Sequence, residues 1–133
     1  MKDSINGFSC EEVMVLYQFL DYYEKKISQL KNNKSLDVSG FNKLVKEGSI
    51  LLVKVKSTGD FKNVTANTVV LTIQKKNQLL SFLAHLRNSI AHAYISKAVD
   101  GRYCLADYYH SKINMQGFVS KETIESIINQ IVK

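Results

Sequence analysis

Arg87, Asn88 and His92 fall within two helical turns of one another in the stretch 79–94, LLSFLAHLRNSIAHAY. A guanidinium is a planar, permanently charged fork that suits a phosphate or carboxylate contact. An imidazole takes up and releases protons near neutral pH, and a carboxamide can orient either neighbour. The three side chains together can hold an anionic group and move a proton beside it. The choice of arginine stands out, because 16 of the 18 basic residues are lysine and the arginines are Arg87 and Arg102.

A helix must present these groups. Leu79, Leu83, Leu86, Ile90 and Ala93 recur at the spacing of a buried helical face. At about 100° per residue, Asn88 and His92 stack away from that face, with Arg87 at its boundary. Ser81, Ala84, Asn88 and Ala91 form a second seam of small residues, read as the contact for another helix, of this chain or from a second subunit. Tyr94 sits near the edge of the core face, and the plain expectation for it is a packed ring with its hydroxyl at the rim.

The remaining elements follow from pattern. Ser9 and Glu12 fit a capping box for a first helix running to about residue 31. Phe41, Leu44, Val45, Gly48, Leu51, Leu52 and Val55 suggest a second helix from about residue 39 to 57. Residues 65–73 are ambiguous: 69–73 are mostly β-branched and would suit a strand, but no glycine or proline separates them from residue 74 onward. They are therefore read as the start of a long third helix ending near residue 96. Alternation over 102–119 predicts a small β-hairpin, with Gly117 as its glycine, and Ser120 caps a last helix striped by Ile124, Ile127, Ile128, Ile131 and Val132.

The chain of 133 residues is expected to be a single domain, 1–133, without internal repeat or linker. It has no proline and no apolar run of the roughly 18 residues a membrane span needs, and its first residues lack the core of a signal peptide. Two cysteines, Cys10 and Cys104, in no ligand spacing argue against a disulfide framework, so a cytoplasmic protein is expected. The net charge of +6 favours anionic partners, nucleic acid among them.

The Arg87-Asn88-x-x-x-His92 motif resembles the R-x(4)-H signature of the HEPN superfamily, including the polar residue after the arginine. The resemblance covers residues 79–133. It implies a mainly α protein: a helical bundle of about four helices with a small β-hairpin before the last helix, commonly paired as a homodimer with motif helices facing each other. It further implies a metal-independent endoribonuclease of a toxin–antitoxin or antiphage defence system. On that resemblance His92 would be the acid/base group, Arg87 the phosphate holder, and Asn88 the residue orienting one of them. RNA supplies its own 2′-hydroxyl nucleophile, so neither cofactor nor metal is expected. Arg87 to Tyr94 also spells R-x(4)-H-x-Y, similar to toxins whose tyrosine is nucleotidylated by a cognate nucleotidyltransferase antitoxin, which makes Tyr94 a candidate modification site.

Other arrangements are weaker. His85, seven residues before His92, reads as a surface residue. His85, His92 and His110 lack the spacing of a metal site, and Cys104 lacks an adjacent base. The alternatives are a non-catalytic HEPN module binding nucleic acid, a nucleotide or a protein partner through the same groove, and a purely structural dimerisation domain.

Overall fold

A computed structural model describes residues 4–5, 7–27, 43, 46, 51–55, 68–72, 78–109 and 112–132. A short antiparallel pair, β1 (Ser4–Ile5) and β2 (Phe8–Ser9), leads into α1 (Cys10–Tyr22), which continues as one π-helical turn, Tyr23–Ile27. Then come β3 (Leu51–Val55), β4 (Thr68–Thr72), α2 (Gln78–Ala91), β5 (Ser96–Lys97), β6 (Tyr103–Tyr109), β7 (Lys112–Val119) and α3 (Lys121–Ile131). The sheet runs β3-β4-β7-β6-β5, with β3 and β4 parallel and every other pair antiparallel.

The expected helical bundle of about four helices is thus corrected to a mixed α/β architecture, with three α-helices against a five-stranded sheet among the described residues. Two segments account for the difference. Leu51, Leu52 and Val55, assigned above to the end of a second helix, lie in β3, and residues 68–72, assigned to the start of the third, form β4. Both are aliphatic and rich in valine, and each supplies the other's backbone partners, Leu51 opposite Thr68 through Val55 opposite Thr72. Lys43 and Lys46 are helical; the rest of 39–50, including Gly48, and residues 28–31 lie outside the described residues.

The hairpin forms, yet it is the centre of the sheet rather than an appendage. Its pairing closes at Tyr109 opposite Lys112, so Gly117 is not at the bend; it lies inside β7, between Val69 of β4 and Leu105 of β6. A Cβ there would come within 2.7 Å of the Thr68 carbonyl oxygen and of Val69 Cγ2, which explains the glycine. The inward rows of the three central strands are Val69–Gly117–Leu105 and Leu71–Met115–Asp107, with Tyr103 opposite Val119 beside them. All are buried, and all but Asp107 are apolar or glycine.

α2 packs on this sheet, chiefly on β6, and on α1. Leu83, Leu86 and Ile90 are buried as their spacing predicts, joined by Leu80 and Phe82, while Ala93 is exposed. The small-residue seam is not a free surface for a second helix along its length. Ser81 and Ala84 are buried within the chain, and only toward the end of α2 does the seam open, at Ala91. The helix ends earlier than predicted: Ala93 takes a positive φ of 58°, and the amides of Tyr94 and Ile95 donate to the Ser89 carbonyl.

The outer helices follow their caps. Ser9 and Glu12 form the reciprocal capping box of α1, and Leu16, Phe19, Tyr23 and Ile27 face the core. Ser120 accepts from the Thr123 amide at the start of α3, whose Ile124, Ile127, Ile128 and Ile131 are buried in the same core. No helix among the described residues is long and apolar enough to cross a membrane.

Candidate phosphate-binding and proton-transfer site

The motif helix carries a line of buried polar residues: Ser81, His85 and Ser89, four apart on one stripe, with Asn88 beside them. The stripe faces β6. Ser89 Oγ accepts from the Ala106 amide at 3.4 Å, and His85 Nδ1 lies 2.7 Å from Asp107 Oδ2. His85 is fully buried, not the surface residue expected above, because the inward end of β6 offers it a carboxylate where the neighbouring rows are apolar.

Asp107 connects this pair to Arg87. Its Oδ2 also accepts from Asn88 Nδ2 at 3.2 Å, and Asn88 Oδ1 accepts from Arg87 Nη1 at 3.0 Å. Since a carboxylate oxygen only accepts, Asn88 must turn its NH2 toward Asp107, which leaves its carbonyl for the guanidinium. By the same reasoning His85 carries a proton on Nδ1. Arg87 Nε donates to Glu24 on the π-helical turn, beside buried Tyr23. Burial pushes the Tyr23 hydroxyl above its usual range, Arg87 opposes that shift, and Glu24 adds to it. The five side chains form one continuous polar chain, Glu24–Arg87–Asn88–Asp107–His85, running from the surface into the core.

Arg87 is accessible at the outer end, its side chain 31% exposed. Its bonds occupy Nε and Nη1, and among the described residues Nη2 makes none. His92 is exposed one turn beyond Asn88, its amide bonded to the Asn88 carbonyl at 3.0 Å. Tyr94 is not a packed ring: it is 40% exposed, with its centroid 5.8 Å from the His92 imidazole and 4.9 Å, edge to face, from Tyr108 at 39% exposure. A register shift in β6 between Asp107 and Tyr108 accompanies the placing of the acid inward and the ring on this surface.

Of the residues singled out in the sequence, Arg87 and Asn88 are thus bonded to each other, and His92 and Tyr94 pair through their rings on the adjoining turn. Glu24, Asp107 and the true position of His85 escaped sequence reasoning. For two of them a signal existed: Asp107 is an acid in the alternating set Tyr103, Leu105, Asp107, and Ser81, His85 and Ser89 are a polar stripe at helical spacing. Glu24 had none. His110 lies outside the described residues; among those described, no three His, Cys, Asp or Glu side chains cluster as a metal site.

Glu12 forms a second polar centre, on the opposite end of β6. Its carboxylate accepts from Ser9 N at 2.9 Å, from Lys97 Nζ at 3.0 Å on both oxygens, and from the Tyr103 hydroxyl at 3.1 Å, with Lys121 Nζ at 3.6 Å. These partners come from α1, β5, β6 and α3, so the carboxylate is a structural tie among those elements.

No family model, no curated protein and no solved structure matches the chain.

Proposed function

We propose that the chain acts on RNA as a metal-independent endoribonuclease, with Arg87 holding the scissile phosphate and His92 moving the proton. What supports this is a placement near one helix end: an accessible guanidinium, anchored at Nε and Nη1, five residues before an exposed imidazole whose ring lies against exposed Tyr94, which in turn meets exposed Tyr108. The free Nη2 end of Arg87 offers donors to a phosphate oxygen, and charge developing on that phosphate favours a guanidinium already fixed in place. His92 takes the 2′-hydroxyl proton or supplies one to the leaving oxygen. Tyr94 and Tyr108 offer faces on which an unpaired base stacks. The likeness to HEPN proteins counts here for the chemistry of the motif alone, since the architecture is not their helical bundle.

One chain brings one exposed histidine to this surface among the described residues, because His85 is buried against Asp107. Cleavage that needs both an acid and a base therefore calls for a homodimer placing two His92 residues in one cleft. Ala91 and Ala93, small and exposed beside His92, are where two copies can approach closely. The motif's resemblance adds to this reading a cytoplasmic site of action and a defence or toxin–antitoxin setting. Nucleotidylation of the accessible Tyr94 by a cognate transferase would cover His92 and act as the off-switch; a mass increase of whole nucleotides on Tyr94 after co-expression tests that.

The decisive experiment is cleavage of single-stranded RNA by purified protein in excess chelator. His92→Ala is expected to reduce the rate by about 10²–10⁴ and Arg87→Ala by about 10²–10³. Unimpaired cleavage by His92→Ala refutes the assignment. A second reading, a module that binds RNA without cutting it, is favoured by the Glu24 carboxylate already seated on Arg87 Nε. It predicts tight RNA binding by the wild type, lost in Arg87→Ala, with no cleavage and no growth arrest on expression.

A further inference from the structure

We propose that Asp107 is a positioning residue for Arg87, acting through the Asn88 amide, with buried His85 keeping Asp107 aimed. The proposal rests on the reading of Arg87 as the phosphate holder and explains what holds that side chain ready.

Asp107 is 2% exposed and occupies the row of Leu71 and Met115, between strands whose other inward residues are apolar or glycine. Packing alone calls for an aliphatic side chain there, and a buried acid is costly unless it is paired and hydrogen-bonded. Both bonds it accepts go to α2, at His85 and Asn88. One of them has a consequence at the surface. An amide has two unlike ends, and Asp107 accepts only from the NH2 end, so it dictates that the Asn88 carbonyl faces Arg87. Turned over, Asn88 would set its oxygen against a carboxylate and its NH2 against a guanidinium, losing both bonds. With the amide held, Arg87 has two anchors on its planar fork, Asn88 at Nη1 and Glu24 at Nε, and among the described residues Nη2 makes no bond. Without Asp107, the amide rotates freely and one anchor is lost. His85, whose Nδ1 lies 2.7 Å from Asp107 Oδ2, stops the carboxylate from swinging toward Arg87 directly.

The test removes the acceptor and then returns it without its charge. Because Oδ2 accepts from both His85 and Asn88, Asp107→Leu leaves the Asn88 amide with nothing to hold it, while Asp107→Asn keeps an oxygen in that place, accepts both bonds and leaves the Asn88 carbonyl on Arg87.

The readout is rotation of the Arg87 guanidinium about its Nε–Cζ bond, followed by nitrogen NMR exchange between Nη1 and Nη2. With Arg102 the one other arginine, Arg102→Lys assigns the signals. Asp107→Leu is expected to speed rotation at Arg87 about tenfold, the equivalent of one charge-assisted hydrogen bond, and leave Arg102 unchanged. Asp107→Asn is expected to keep the wild-type rate, with RNA cleavage falling in Asp107→Leu and holding in Asp107→Asn. A measurement on the unaltered protein guards against a variant that does not fold: the Asn88 NH2 proton facing Asp107 should exchange slowly with solvent. Rapid exchange of that proton overturns the proposal, as does unchanged Arg87 rotation in folded Asp107→Leu or rotation in folded Asp107→Asn as fast as in Asp107→Leu. If rotation responds as expected while the wild type cuts no RNA, the positioning role stands and the ribonuclease reading falls.

Discussion

Glu12 offers a prediction whose size can be worked from the structure. Burial pushes its carboxyl up, but the Ser9 amide, Lys97, the Ser9 hydroxyl and Tyr103 outweigh that, and its pKa falls from the ordinary 4.5 to about 2. A carboxyl that is more acidic when folded stabilises the fold at pH values above 4.5. That contribution fades as the pH drops toward the folded value. The gap from 4.5 to about 2 amounts to ~3 kcal/mol at neutral pH. The same relation leaves ~1.4 kcal/mol at pH 3. Other carboxyls titrate over this range, so the useful quantity is the difference between wild type and Glu12→Gln, an uncharged isostere that resembles the protonated acid. Urea unfolding by circular dichroism at pH 7, 5, 4 and 3 should find Glu12→Gln less stable by about the larger figure at pH 7, with the difference more than halved at pH 3. A difference that stays constant with pH would show that the variant loses packing or cap geometry rather than charge, and the electrostatic account of this tie among four elements would be wrong.

Three further substitutions probe what holds the site in place. Gly117→Ala should lower unfolding free energy by about 1–3 kcal/mol in urea titration, since its Cβ meets backbone of β4 that cannot give way. Leu86→Ala, at a fully buried position next to Arg87 on α2, should cost about 3 kcal/mol by the same assay. Ser120→Ala removes the hydroxyl that caps α3 and should cost about 1 kcal/mol, with Ser120→Asp close to wild type.

The parts of this fold legible in the sequence are those whose signal is local. Ser9 and Glu12 close the capping box within four residues, Ser120 caps α3, and Leu83, Leu86 and Ile90 repeat at helical spacing. Residues 68–72 are different. Their valines and threonines suit a strand, but what makes them one is a partner on each side: β3, from residues 51–55, and β7, from residues 112–119. Neither partner is visible in a local pattern, so continuity with α2 favours helix and hides both strands together. A parallel pair has no tight turn to announce it, unlike β6 and β7, whose alternation shows on either side of a short bend.

The candidate site divides along the same line. Arg87, Asn88 and His92 are neighbours in the chain, so a motif can name them. The groups that aim them are 63 residues away at Glu24 and 19 away at Asp107. They arrive on a π-helical turn and on the central hairpin, neither of which belongs to the motif. Asp107 nonetheless left a trace, as a charged residue in phase with Tyr103 and Leu105 in the alternating stretch. An acid at an inward strand position needs a donor from whatever covers it, and α2 offers a buried histidine and an asparagine at one level. The two oddities, an acid in an apolar row and a polar stripe on an apolar helix, are each costly alone and account for each other once the helix lies on the sheet. That mutual need fixes how α2 is rotated on β6, and the rotation is what leaves Arg87 at the rim with His92 beyond it.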